Sequence, residues 1–218
     1  RRNLLHRIVS SDERRESVAQ HLRRLNHLFV GRDLSVADLD ELENTVISWA
    51  DRVDQLPDRP REFDSAAFRE WHNKGRPRVE GAERRGFPDS VVMGEANPMG
   101  LAARPWQDGE FSYAEAVFDR AFEGAPQRAH GGILAALLDE TMGRASSFAG
   151  ALAYTGKLEI FYRAPTPLYT PVLAKAWCEG RERRKVHIRA EVTHGDTLIA
   201  EATAIFIEVD VSKFVLPE

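Results

Sequence analysis

The residues best suited to chemistry lie in one stretch, His130-Gly131-Gly132 followed by Asp139-Glu140. Between them Ile133, Leu134, Ala135, Ala136, Leu137 and Leu138 run without a polar break. Such a run predicts a helix over about Gly131–Ser147 that is buried on most sides. Two glycines at its start leave bare backbone amides where the helix dipole favours negative charge and a ligand can come close. Two turns later Asp139 and Glu140 interrupt the apolar surface, and a carboxylate on a buried helix is costly unless it is paired or used. Each feature also has an ordinary reading. Gly-Gly is commonly a tight turn, an Asp-Glu pair often marks where a helix leaves the core, and a lone histidine is more often a hydrogen-bonded structural residue than a base. It is the combination that marks a site.

The elements that must position these residues follow from the flanking patterns. Glu110–Phe118, Thr155–Tyr162, Val172–Cys178, Val186–Val192 and Leu198–Val209 read as strands, separated by Pro165, Pro167, Gly180 and Gly195-Asp196 as turn residues. The last run is β-branched and too long for an edge strand. One antiparallel sheet of about five or six strands against a single long helix is an α+β layout. The first third of the chain has a different grammar. Ser10-x-x-Glu13 is a capping box, and Val18, Leu22, Leu25 and Phe29 share one helical face up to Gly31. A second helix from Ser35 carries Leu39, Leu42, Val46, Trp49 and Val53 and stops at Pro57 and Pro60. These narrow stripes predict a helical hairpin laid on another surface or on a partner subunit. The chain therefore divides into a helical extension (1–60), a transition rich in Arg, Pro and Gly (61–89) with a short helix around Ala66–Trp71, and a domain at 90–218.

Composition narrows the function classes. The 218 residues carry 30 Lys+Arg against 34 Asp+Glu, a net charge of −4, and a nucleic-acid module would normally carry a basic surplus. Cys178 is the only cysteine, so neither an internal disulfide nor a Cys-based zinc site can form. No apolar run approaches the roughly 18 residues of a membrane span, and Arg1–Ser10 leads into a charged helix rather than an apolar stretch. The expectation is a cytoplasmic protein with no metal and no cofactor. A G-x-S-x-G elbow, a phosphate-cradling loop after a strand and metal-ligand spacing are all missing from the sequence.

The set His130-Gly131-Gly132, Asp139 nine residues after the histidine, and Thr155-Gly-Lys-Leu-Glu-Ile-Phe-Tyr-Arg-Ala-Pro resembles the hotdog-fold thioesterases of the phenylacetate-pathway (PaaI-like) group. The style is nearest to the human thioesterase superfamily members, an affinity that Phe122-Glu-Gly-Ala-Pro shares, and the resemblance covers about residues 90–210. It implies a sheet curled around one central helix and hydrolysis of acyl-CoA thioesters by a homodimer or dimer of dimers. It further implies that the Gly131 N–H polarises the thioester carbonyl, and that Asp139 acts as general base or nucleophile while Thr155 orients the water. His130 and Gly132 would contact substrate; separately, Arg163 at the end of its strand has the chemistry to meet a CoA phosphate, and a surface arginine is an equally ordinary reading of it. Other hotdog groups carry Gln or Asn six residues before the histidine. Gly124 stands there in this chain, so a side-chain donor would have to come from elsewhere, such as Gln127.

Thioester hydrolysis needs preorganised N–H donors for the oxyanion, and a buried carboxylate of raised pKa suits deprotonation of water near neutrality. Glu140 points about 100° away from Asp139 on a helix and is the weaker candidate. Gly131 and Asp139 are eight residues apart, about 12 Å along one helix, so a single helix cannot bring both to one carbon. Two helices packed antiparallel about a two-fold axis can, which predicts an active site shared between chains. An enoyl-thioester hydratase is disfavoured because Ala125 stands five residues before His130, where that chemistry uses Asp. The remaining alternative is a non-catalytic acyl-CoA-binding or regulatory module.

Overall fold

A computed structural model describes residues 11–59 and 88–209. The order is α1 (Ser11–Gly31), α2 (Val36–Asp54), β1 (Arg104–Asp108), β2 (Phe111–Val117), a 3-10 turn (Arg120–Phe122), α3 (Gly131–Phe148), β3 (Ala153–Tyr162), β4 (Pro171–Glu182), β5 (Lys185–His194) and β6 (Thr197–Glu208). All strand pairs are antiparallel, in the spatial order β1-β2-β4-β5-β6-β3. This is the expected α+β arrangement, with β6 interior and β3 at one edge. The capping box at Ser10 and the short helix around Ala66–Trp71 lie outside the described residues.

Side-chain size explains how the sheet wraps the helix. Along one row across the sheet, Ser112 pairs with Ala176, Ala176 with Ala190, Ala190 with Ala202 and Ala202 with Ile160. The next row runs Ala114, Ala174, Val192, Ala200 and Tyr162. Small residues on the inner face let the backbone come close to α3, whose Leu134, Leu137, Leu138 and Met142 supply the bulk and are fully buried. Truncating Leu137 to Ala would cost about 2–5 kcal/mol by transfer and cavity terms.

Two local readings are corrected and a third is left open. β1 was not visible in the sequence, because a five-residue strand carrying Pro105 has too little alternation to register. Gly180 is not a turn residue: β4 runs through it to Glu182, and the register shift between Cys178 and Gly180 makes it part of a bulge. The reversal occurs at Arg183, which adopts φ 54°. The apolar stripe of α1 is left exposed by the described residues of this chain, which keeps open the partner subunit that the pattern allowed. Val18, Leu22, Leu25 and Phe29 are exposed and only Ala19 is buried. The helix attaches through polar groups instead. Arg23 Nη1 donates to the carbonyls of Glu95 (2.8 Å) and Asn97 (2.7 Å), and His27 Nδ1 accepts from the Ala121 N–H at 3.1 Å. The His27 ring meets Phe122 edge-on at 5.1 Å. α2 begins with a complete capping box, Ser35 with Asp38, and buries no residue within the described chain.

Candidate active site

α3 starts where its backbone amides are divided between two fates. His130 is the N-cap, and its Nδ1 accepts the Gly132 N–H at 2.9 Å. The Ile133 and Leu134 amides donate to the His130 carbonyl. Among the described residues the Gly131 N–H has no partner, which leaves one amide at the positive end of the helix free to donate. His130 and Gly132 are thus occupied with each other. A Cβ on Gly132 would sit 3.0 Å from His130 Nδ1, so the glycine makes room for the capping ring.

The loop before α3 is held by its own network. Glu123 accepts the Gln127 N–H at 2.6 Å and pairs with Arg120 at 2.6 Å. The His130 N–H donates to the Phe122 carbonyl at 2.8 Å. A Cβ at Gly124 would lie 2.8 Å from His130 Cα, so this position cannot carry the Gln or Asn side chain found in other hotdog groups. Gln127 is exposed, with φ 64°.

Two turns along α3, half-buried Asp139 meets Thr155 at the start of β3. The Thr155 hydroxyl donates to Asp139 Oδ1 at 2.6 Å. A bulge makes this contact possible. Thr155 pairs with Phe206 and Lys157 with Ile205, so Gly156 is the extra residue. Ala153 before the bulge, and Leu158 and Ile160 after it, all pack on the core side. Without the insertion Thr155 and Leu158 would lie on opposite faces, because side chains alternate strictly along a strand. With it, both face α3. A Cβ on Gly156 would approach Ile207 Cγ1 to 2.8 Å, so a glycine fits this bulge best.

Glu140 follows Asp139 on α3 and is half-buried. Burial raises its pKa, with the Arg144 charge opposing and the Asp139 charge adding to the rise. Its charge is therefore costly at this position.

The sequence reading missed Tyr162. Its hydroxyl donates to the Gly131 carbonyl at 2.9 Å and ties the end of β3 to the first turn of α3. Strand parity would have found it, since Leu158, Ile160 and Tyr162 share a face once the bulge is recognised. Arg163, one residue on, points to the opposite face. There it pairs with Glu201, which also lies 3.6 Å from Arg189, and its guanidinium stacks over Phe161. Its charge is compensated on the outer surface of the sheet, away from Gly131 and Asp139.

Residues 127–201 match the family model described as the thioesterase superfamily. The acyl-coenzyme A thioesterase THEM4 of Mus musculus is 36% identical over 93 residues, covering 42% of this chain and 40% of its own. The Xenopus laevis THEM4 is 34% identical over 89 residues, 40% of each chain. The matched region thus spans about 40% of the length of these curated relatives. A crystal structure of a thioesterase superfamily protein shares the fold at a TM-score of 0.73 and 20% identity, covering 89% of this chain and 90% of that one. At that coverage the shared architecture takes in helices of the N-terminal extension as well as the hotdog sheet.

Proposed function

We propose that this chain, a hotdog protein whose residues 127–201 match the thioesterase superfamily, hydrolyses acyl-CoA thioesters to free acid and CoA. The observation that carries the reading is the Thr155–Asp139 hydrogen bond at 2.6 Å on a helix whose Gly131 amide is left without a partner. The only hydroxyl proton of Thr155 is committed to Asp139, so toward a water molecule Thr155 is an acceptor. A water held by Thr155 Oγ1 and the carboxylate has both its protons directed at oxygen and a lone pair free to attack.

In the general-base route the water oxygen bonds to the thioester carbon and its proton passes to Asp139. The carbonyl electrons move onto oxygen, which the Gly131 N–H stabilises. Collapse of the tetrahedral intermediate breaks the C–S bond, and the thiolate of CoA leaves and takes up the proton. In the nucleophilic route Asp139 attacks the carbon, the C–S bond breaks as the CoA thiolate leaves, and water then hydrolyses the mixed anhydride to the free acid and the Asp139 carboxylate, its released proton ending on the thiolate.

Gly131 and Asp139 of one helix are about 12 Å apart, so the reading requires a homodimer in which each site takes one group from each chain. The outer edge of β3, the strand that carries Thr155, and the uncovered apolar stripes of α1 and α2 leave surface for a second copy. The test is CoA release across a panel of acyl-CoA chain lengths. Turnover of at least one member supports the reading. Binding without release from any member would favour a non-catalytic acyl-CoA module.

A further inference from the structure

A cavity lies outside the Gly131–Asp139 site. α1 crosses the loop that precedes α3 and leaves a cleft of about 720 Å³, lined by Arg23, Arg24, His27, Arg32, Arg120 and Tyr169 among others. Its volume is that of a small-molecule site. In a chain of net charge −4 it gathers four arginines against one lining carboxylate, Asp119. The four are not equivalent. Arg23 is spent on the carbonyls of Glu95 and Asn97, and Arg120 pairs with Glu123. Among the described residues, Arg24 and Arg32 line the cleft with no ion pair. Desolvation keeps His27 below its ordinary pKa, despite Asp119, so near neutrality the positive charge comes from the arginines. Of the basic side chains in the sheet, Arg163 and Arg189 meet Glu201, Arg181 meets Glu208, and Arg184 donates to the Glu208 carbonyl.

The cleft is also coupled to the reaction site through one residue. Phe122 forms part of its wall and accepts the N–H of His130, the cap of α3. The Cβ position of Gly31, at the end of α1, lies 3.1 Å from Arg120 Cγ, so the helix end rests on the stem of an arginine in the same wall. The thioester of an acyl-CoA is separated from its nucleotide by the long pantetheine arm. Its phosphates must therefore land on ground that the Gly131–Asp139 site does not supply. Arginine forks suit phosphate oxygens, and exposed Tyr169 at the cleft offers a ring face for a base.

We propose that the cleft between α1 and the hotdog domain binds the phosphate-bearing nucleotide end of the thioester substrate, with Arg24 and Arg32 as its phosphate contacts. The proposal rests on the acyl-CoA reading for its substrate, but binding to the cleft can be measured without turnover. Titration calorimetry with adenosine 3′,5′-bisphosphate should show binding to the unaltered protein, at least tenfold weaker in Arg24→Glu/Arg32→Glu. Arg14→Glu, the same reversal on an exposed part of α1 outside the cleft, should bind like the parent. In kinetics the double variant should raise KM for acyl-CoA about tenfold or more with kcat nearly unchanged. Hydrolysis of the matching acyl-pantetheine, which lacks the nucleotide, should not change.

Should charge reversal unfold α1, seen as lost helicity, Arg24→Gln/Arg32→Gln takes its place with the same expectations. Absence of nucleotide binding to the parent, or equal binding by parent and double variant, would overturn the proposal. Equal loss with acyl-CoA and acyl-pantetheine would do the same. Binding of ADP or pyrophosphate as tight as the 3′,5′-bisphosphate would refute the CoA assignment in favour of a general polyphosphate site. Bisphosphate binding with no hydrolysis of any thioester would sink the hydrolase reading and leave the nucleotide site standing.

Discussion

Replacing Asp139 by Asn separates proton transfer from shape. Asn keeps the length of the side chain, and its Oδ1 can still accept the Thr155 hydroxyl that now lies at 2.6 Å. Half-burial at the surface of α3 means that the amide needs no repacking. What disappears is the ability to take a proton from water or to attack the carbonyl carbon. Loss of a general base typically costs about 10²–10⁴ in rate. The expected fall in kcat is at least about 100-fold, or about 2.7 kcal/mol of transition-state stabilisation. KM and the calorimetric affinity for a non-hydrolysable acyl-CoA thioether should stay within a few-fold of the parent. Thiol release is followed continuously with a disulfide chromophore. Glu140 supplies an internal check, because its pKa is raised by burial and in part by the Asp139 charge, which the substitution removes. If Glu140 takes over as base, Asp139→Asn will stay within tenfold of the parent and Glu140→Gln will abolish the remainder. That pair of results would refute the assignment of Asp139.

Thr155→Val, a near isostere, should lower kcat by about 10- to 100-fold, the worth of a hydrogen bond to a charged group, with melting temperature little changed; full turnover would make Thr155 an ordinary strand residue. Gly131→Pro and Asp139→Ala, each inactive, should recover up to about a quarter of parent activity when unfolded and refolded together, since half the dimers would be mixed and each would hold one intact site. No recovery, with mixed dimers shown by mass spectrometry, would place the two groups at separate sites. Deleting Gly156 removes the bulge residue, so Thr155 should turn from α3 and activity should fall at least as far as in Thr155→Val, while circular dichroism still reports a folded sheet; a deletion variant of parent activity would rule out the bulge as the aiming device. Glu140 has a raised folded pKa, so the stability it contributes is fully present below its unfolded value of 4.5 and declines as pH rises through the folded one. Glu140→Gln should accordingly melt above the parent at pH 7.5 and converge with it near pH 4, and a constant difference across that range would refute the burial argument.

The sequence by itself determined whatever depends on neighbours within a few residues. Apolar periodicity set α1, α2 and the long strands, and Gly131-Gly132 with the apolar run behind them announced the start of α3. His130, Gly131 and Asp139 stood out for the same reason, because each belongs to a short pattern, whereas Thr155 was singled out only by the family resemblance. Only the tertiary structure decided which side chains meet. The encounter of Thr155 with Asp139 depends on one extra residue at Gly156, whose effect on parity appears only once β3 is paired with β6. Tyr162 and Arg163 are adjacent in sequence, yet one holds the first turn of α3 and the other is neutralised by Glu201 on the outer face. Strand alternation separates neighbours, and sheet register chooses their partners. The same holds for α1. Its apolar stripe predicts a face laid on another surface or on a partner subunit, and within one chain the carbonyls of Glu95 and Asn97 and the ring of Phe122 hold Arg23 and His27 on another side of the helix. Backbone carbonyls carry no side-chain signature, so no pattern in the sequence could have revealed that docking face before the chain was folded.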